Sequence, residues 1–266
     1  MSGRLTHLYS ENNHHCILLT GMVSGDGIDS NQFMVVHEGR AALFDPGGDL
    51  TYTPLSIELS RHIRLHDLDY VVASHQDPDV IASLPRWLMN TQCKVVVSQL
   101  WNRFLPHLVS DFVDKRLAGN LSSRLISLPD AGGEIELGDI KLKAVPAHFL
   151  HSVGNFHFYD PVSKFLFTGD VGAAVGCGDD HVPVEDFDAH VGYMEGFHHR
   201  YMASNRACRA WVERVRRMDV EALVPQHGKP FIGKPMVDRF LKWFERLECG
   251  TDRMQIGGSE PFNMGR

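Results

Sequence analysis

The sequence holds no CxxC pair, and its five cysteines (Cys16, Cys93, Cys177, Cys208 and Cys249) are scattered and odd in number. That spacing excludes a zinc ribbon and a disulfide framework and points to reduced thiols in a reducing compartment. No apolar run approaches membrane-spanning length, and the opening Met1-Ser2-Gly3-Arg4-Leu5-Thr6-His7 has no signal-peptide core. The expectation is a cytoplasmic protein without a membrane partner. Basic excess is missing as well: 26 Lys and Arg stand against 33 Asp and Glu, a net charge of −7, which argues against a nucleic-acid partner. No internal repeat and no linker divides the chain. What is present is ordinary in bulk: 266 residues, 43% hydrophobic and 22% charged, enough to bury a full core without staples. Histidine is abundant at 16 residues. Most must be incidental, so only their placement is informative.

Short apolar runs at residues 16–21, 33–37, 41–44, 68–73 and 94–98 read as strands of a first group. Helical spacing is expected over 54–63, 80–89 and 100–117, the last broken at Pro106. A second group of strands is expected at 125–128, 134–137, 140–145, 156–159, 165–168 and 222–224, with helices over 201–218 and 236–248. Residues 172–199 are Gly-rich, charged and without periodicity, which predicts a long functional loop. Strands in two runs, each followed by helices, predict an α/β fold of two mixed sheets with helices on the outer faces, an αββα sandwich. One domain is expected over residues 1–249, followed by a poorly ordered tail at 250–266.

The densest polar motif is Ser74-His75-Gln76-Asp77-Pro78-Asp79-Val80, at the carboxyl end of the strand at 68–73. Alternate His, Asp and Asp side chains in such a loop can converge on one or two cations. The plainer account is a polar turn in which Pro78 forbids helix up to that point and Asp79 caps the helix that follows. Three further clusters also terminate strands. His148 and His151 follow 140–145, Asp170 follows 165–168, and His227 follows 222–224. Taken singly each fits a cap or a satisfied core residue. Four strand ends that all carry His or Asp are an arrangement chance rarely supplies, and the sheets' common edge is where they would meet.

These residues, in this order, resemble the metallo-β-lactamase superfamily, whose signature is an HxHxDH-like loop, a single His, a strand-terminal Asp and a final His. The segments Asn31-Gln32-Phe33-Met34-Val35, Leu43-Phe44-Asp45-Pro46-Gly47, Phe167-Thr168-Gly169-Asp170 and Pro225-Gln226-His227-Gly228 extend the resemblance over residues 21–248. It implies a dinuclear metal site. One ion would take His75, Asp77 and His151, the other Asp79 and His227, with Asp170 bridging. His151 is taken over His148 because Ser152 and Gly154 follow it in the superfamily's register. Asp45 would orient the first loop.

Two departures move the resemblance away from hydrolases. Asp77 stands where they carry His, and Val80 follows Asp79 where they carry another His. The carboxylate at the second position resembles the flavodiiron proteins and, closer still, the stand-alone oxygen-binding diiron proteins, whose HxDxDxxxSLP pattern is matched over residues 75–85. No flavodoxin-like phosphate loop or second domain is found. Three carboxylates with three imidazoles make a hard, anionic donor set that favours two irons, with zinc or manganese as alternatives. The function implied is a non-haem diiron protein that binds dioxygen. It would act as an oxygen sensor, or as an oxygen or nitric oxide reductase fed by a separate electron carrier or coupled to a signalling protein. Alternatives are a dinuclear hydrolase that uses a metal-bound hydroxide, and a binding domain with purely structural metals. If the chain is an enzyme, an oxidoreductase acting on dioxygen or nitric oxide is favoured over a metallo-hydrolase. The flavodiiron relatives imply a homodimer.

No catalytic residue is assigned. Tyr193, Tyr201 and His148 are candidates near the open metal position, with a packing role for Tyr193 the plainer account. Asn205 is set beside Tyr201 by its likeness to a flavodiiron stretch. His181 and His190 lie in the expected long loop, where a surface or packing role is the plainer account for both. Cys177 lies in the same loop, where a buried free thiol is plainer than a site residue. His14, His15, His198 and His199 fit no motif and are expected on the surface.

Overall fold

The computed structural model describes residues 4–23, 27–109, 115 and 122–254. Seven strands build the first sheet in sequence order: β1 (Arg4–Glu11), β2 (His14–Thr20), β3 (Gln32–His37), β4 (Arg40–Phe44), β5 (Leu68–Val72), β6 (Lys94–Ser98) and β7 (Leu125–Leu128). Pairing is antiparallel from β1 to β4 and parallel from β4 to β7. The second sheet holds β8 (Gly133–Leu137), β9 (Ile140–Pro146), β10 (Phe156–Asp160), β11 (Phe165–Phe167), β12 (Ala222–Val224) and β13 (Phe231–Ile232), in spatial order β13-β12-β11-β10-β9-β8. Both sheets are mixed, since β11 and β12 are parallel within an otherwise antiparallel array.

Strand periodicity assigns the layers, because successive side chains face opposite sides of a sheet. On β2 and β4, Cys16, Leu18, Ala42 and Phe44 face inward to meet Phe156, Phe158, Phe167 and Val224 between the sheets. Phe44 stacks on Phe167 with centroids 4.7 Å apart, and Phe33 lies 5.2 Å from the same ring. Burying each such ring is worth roughly 1.5–3 kcal/mol. The alternate residues Ile17, Leu19, Ala41 and Leu43 face outward under the helices α1 (Asp49–Leu59), α2 (Pro78–Ile81) and α3 (Leu84–Asn90). Val145, Tyr159, Leu166 and Leu223 do the same on the other sheet, under α4 (Phe187–Tyr201), α5 (Asn205–Val215) and α6 (Lys234–Glu245). The αββα sandwich is borne out.

Several local expectations need correction. β1 is mostly polar and only partly buried at the sheet's edge, so it carries no strand-like apolar run. The helix expected at 80–89 breaks at Ser83, whose hydroxyl donates to the carbonyls of Pro46 and Gly47, before Pro85 opens α3. Of residues 100–117, Leu105–Leu108 forms one 3-10 turn, while 110–114 and 116–117 lie outside the described residues. The expected loop at 172–199 gives way from Phe187 to α4, which runs on to Tyr201. Asp186 caps it by accepting from the backbone of Asp188 and Ala189, and its buried stripe is Phe187, His190, Met194 and His198. Two of those four positions are histidine, so an apolar count misses the helical period. The helix expected over 201–218 is α5 alone, shorter at both ends. Residues 250–254 are not a loose tail either. Gly250–Arg253 forms a 3-10 turn, the Thr251 amide and hydroxyl both donate to the Ala203 carbonyl, and a Cβ on Gly250 would sit 2.2 Å from the Met202 carbonyl oxygen. The remainder of the expected tail, 255–266, lies outside the described residues. No helix among the described residues is long and apolar enough to cross a membrane.

His14 and His198, expected on the surface, are fully buried, and so is His157. Burial pushes His157 down to about 3, reinforced by His75 and Arg214; burial likewise pushes His198 down to about 4, although its bond to the Met194 carbonyl works the other way. Below pH 6.5 the unfolded chain protonates both imidazoles while the native protein refuses the protons, so stability is lost as pH falls. Asp45, raised to about 6 by burial, and His227 and His151, raised against burial by the carboxylates around them, oppose this. The metal-free protein is therefore expected to lose about 1–2 kcal/mol between pH 7 and 5. Urea melts at the two pH values measure this, and an unchanged midpoint would refute it.

Candidate metal centre

The first loop is set by a carboxylate at the end of β4. Asp45 accepts from the Ser74 amide at 2.8 Å and the Ser74 hydroxyl at 3.0 Å. Since the hydroxyl gives its hydrogen to Asp45, its oxygen is free to accept the His75 Nδ1–H, 2.9 Å away. That fixes the tautomer and turns the His75 Nε2 lone pair into the site. Asp45 orients the loop as expected. Burial raises its carboxyl to about 6, against the lowering effects of His75 and the two Ser74 hydrogen bonds.

Asp77, not Asp79, stands at the N-cap of α2, and its side chain makes no capping bond. It lies 2.8 Å from His151 Nε2 instead. The purely structural account of the motif thus fails at the residue that would have to do the capping. His151 belongs to the loop between β9 and β10, which is shaped by positive φ at Phe149 (66°) and His151 (72°) and held by an Asn155 Nδ2 bond to the Leu150 carbonyl at 2.6 Å. Asp170 follows β11 after Gly169. A Cβ on Gly169, whose φ is +49°, would meet Ser74 Oγ at 3.1 Å, so the close approach of the two loops favours glycine there. His227 follows β12 and donates Nδ1–H to the Asp29 carbonyl at 3.0 Å, which frees Nε2 for the site. The Asp29 carboxylate is pinned by the backbone amides of Gly21, Met22 and Val23. Sequence reasoning missed Asp29, because a residue that acts through its carbonyl leaves no signature.

The six expected ligands converge as two sets sharing Asp170. Its Oδ2 lies 3.6 Å from both His75 Nε2 and His151 Nε2, and Asp77 Oδ2 closes that set at 3.8 and 2.8 Å from the same nitrogens. The other oxygen, Oδ1, lies 3.7 Å from His227 Nε2, which is 3.2 Å from Asp79 Oδ2. Oδ1 is buried without a hydrogen-bond partner, a costly state for a carboxylate oxygen unless a cation meets it. Metal–ligand bonds of about 2.0–2.2 Å put neighbouring donors of one ion about 3 Å apart or slightly more. The observed spread brackets that spacing, so the residues fit two ions bridged by Asp170.

Electrostatics agree. Burial would depress His227, yet the Asp79 hydrogen bond and the charges of Asp170 and Asp79 push it up to about 9. His151 is raised against its burial by Asp77 and Asp170, and Asp77 is held down chiefly by its bond to His151. Asp79 is held down too, with His227 outweighing burial. Three carboxylates thus hold cationic character in this pocket, which bound metals would take over as the protons leave.

His148 is not part of the centre. Its Nε2 lies 2.8 Å from the Asp130 carbonyl, and its ring stands edge-on to Phe156. Tyr201 closes α4 with its ring 5.3 Å from His151 and stacked on Phe197. Tyr193 is half exposed beside His190, which packs on Phe231. His181 bridges Thr6 and Thr20, and Asn205 donates to the carbonyls of Glu245 and Leu247 at the end of α6. Cys177 is half-buried beside Asp180. Val80 packs into the core under α1 and α3.

Residues 28–228 match the family described as "ODP family beta lactamase". The chain belongs to this family. Two ODP structures resemble it over nearly its whole length. The peroxy diiron species of the chemotaxis sensor ODP is 40% identical, covers 93% of this chain and 97% of its own, and superposes with a TM-score of 0.80. The apo state of chemotaxis sensor ODP from T. denticola is 38% identical, covering 95% and 98%, with a TM-score of 0.81. Rubredoxin oxygen:oxidoreductase from Desulfovibrio gigas shares the fold at 16% identity, with a TM-score of 0.73 over 91% of this chain and 61% of its own. An uncharacterized protein of Methanocaldococcus jannaschii is 24% identical over 218 residues, 79% of this chain and 51% of its own. This ODP-family chain therefore spans about half the length of that curated relative.

Proposed function

We propose that this chain is a non-haem diiron protein that binds dioxygen and serves as an oxygen sensor. The observation that carries this reading is Asp170, each of whose two oxygens faces a separate ligand set. It gains weight from the chain's 40% identity to a chemotaxis sensor captured as a peroxy diiron species. His75, Asp77 and His151 would hold one iron, Asp79 and His227 the other, and Asp170 both. Two ferrous ions supply the electrons and the open coordination that dioxygen needs. The protein's own part is to hold the donors and exclude competitors. Asp45, through Ser74, keeps His75 Nε2 unprotonated toward the site, and the Asp29 carbonyl does the same for His227. Phe197 and Tyr201 lie over His151 and bound that flank of the pocket.

The second set has two ligands besides the shared Asp170, and Val80 adds no donor. That leaves room for an exogenous small ligand, dioxygen or nitric oxide. A signalling protein would read the oxygenated state, and a separate electron carrier would return the irons to the ferrous form. Metal analysis with optical spectra under air and under nitrogen tests the reading. About two irons per chain and an oxygen-dependent absorption change that persists without turnover are expected. Stoichiometric zinc with esterase activity that survives iron removal would overturn the diiron assignment. Rapid multiple turnover with a bare chemical reductant would overturn the sensor in favour of a reductase.

A further inference from the structure

A second cluster of metal-type donors lies at the other end of the sandwich. His14 and Cys16 are alternate residues of β2 and so project from the same face. Both meet Asp160, the last residue of β10, about 13 Å of strand away from Phe156 at the metal-centre end. One donor atom from each lies within 4.8 Å of the other two, and all three residues are fully buried. His14 Nε2 is 2.7 Å from Asp160 Oδ2, Cys16 Sγ is 3.2 Å from that oxygen, and Sγ and Nε2 are 3.8 Å apart. The ligands of the first centre show the same range, from 2.8 Å between His151 and Asp77 to 3.8 Å between His75 and Asp77.

His37 Nε2 lies 2.6 Å from Asp139 Oδ1 and must donate to that ionised carboxylate, so a neutral His37 accepts at Nδ1. His14 Nδ1, 3.1 Å from His37 Nδ1, must then supply the hydrogen of that contact. His14 Nε2 then turns its lone pair to the Asp160 carboxylate oxygen at 2.7 Å, a contact that a shared proton or a metal ion makes attractive. A carboxylate and an imidazole that fix the outer nitrogen of a histidine are the arrangement that orients metal-bound histidines.

We propose that His14 Nε2, Cys16 Sγ and Asp160 Oδ2 bind one zinc-type dication, separate from the Asp170-bridged centre. The sulfur makes this donor set softer than the all-nitrogen-and-oxygen set of the first centre, which suits zinc. On binding, the Cys16 S–H bond breaks, its proton leaves to solvent, and the thiolate and the Asp160 carboxylate neutralise the dication while His14 stays neutral. Ser163 holds Asp160 Oδ2 in place, its hydroxyl and amide both donating to that oxygen, and its Oγ lies 3.3 Å from Cys16 Sγ. The ion would bolt β2 of the first sheet to the turn between β10 and β11 of the second.

Elemental analysis and zinc-edge X-ray absorption on the wild-type protein, after dialysis against excess zinc, test the proposal. One zinc per chain with a single sulfur at about 2.3 Å is expected. The first centre offers no sulfur, so zinc strayed into it would give only nitrogen and oxygen neighbours. Failure of this site is therefore distinguishable from failure of the diiron reading. Cys16→Ser should lower the sulfur-bound zinc roughly tenfold or more and leave iron unchanged, while His75→Ala should do the reverse. Wild-type protein without a zinc–sulfur shell, or a shell that persists in Cys16→Ser, would overturn the proposal. In the first case an imidazolium at His14, seen by nitrogen-15 NMR, would show that a proton fills the gap.

Discussion

Asp170→Asn is expected to remove iron from both proposed positions at once, with the content of purified protein falling from about two per chain to a small residue and affinity dropping on the order of 100-fold or more. Asparagine keeps the shape and the main-chain connections of this turn, including the Thr168 hydroxyl bond to the Val171 carbonyl at 2.6 Å, so the fold has no reason to change. What is lost is the charge and one of two equivalent oxygens. Oδ2 faces His75 and His151, whereas Oδ1 faces His227 and is otherwise without a partner. An amide nitrogen cannot ligate, so one ion loses a donor outright. The other keeps a neutral oxygen where it had an anion. Iron analysis of the variant beside wild type measures the effect. Two irons retained in Asp170→Asn would show that the carboxylate does not bridge.

His151→Ala and His148→Ala separate more sharply still, although the two residues lie three apart in the chain. The first should lose iron by a comparable factor, because it removes the only imidazole besides His75 from the first set. The second should bind iron like wild type, since His148 Nε2 is engaged with the Asp130 carbonyl. Its penalty is one part-exposed hydrogen bond, about 1 kcal/mol of stability. Thermal melts of metal-free samples keep the two effects apart. If His148→Ala loses the metal and His151→Ala keeps it, the register of this loop is wrong.

Much of the candidate centre was legible before any coordinates because its expected ligands sit at strand ends. A buried strand announces itself through a short apolar run, and the polar residue that ends it stands out against that run. His75, Asp170 and His227 were all found in this way. Positioning groups were legible only where they shared that setting. Asp45 closes a strand and was found, whereas Asp29 acts through its backbone carbonyl in an irregular segment and was not. The same contrast explains the missed helix α4, where His190 and His198 fill buried positions that an apolar count reads as polar. It also explains why His14 was read as a surface residue. Its partners, His37 and Asp160, are 23 and 146 positions away.

Local chemistry written along the chain was therefore sufficient for the two-sheet sandwich and the strand ends that carry His or Asp, while the ligand order and the harder donor set at Asp77 came from the family resemblance. The sandwich and its strand ends depend on residue type, spacing and strand period, all of which are local. Tertiary structure alone decided which oxygen of Asp170 faces which imidazoles, which nitrogen of each histidine is free, and that Asp77 leaves its cap to meet His151. It also brought His14, Cys16 and Asp160 together across two sheets. These depend on distances between segments remote in sequence, and only the packed core sets such distances.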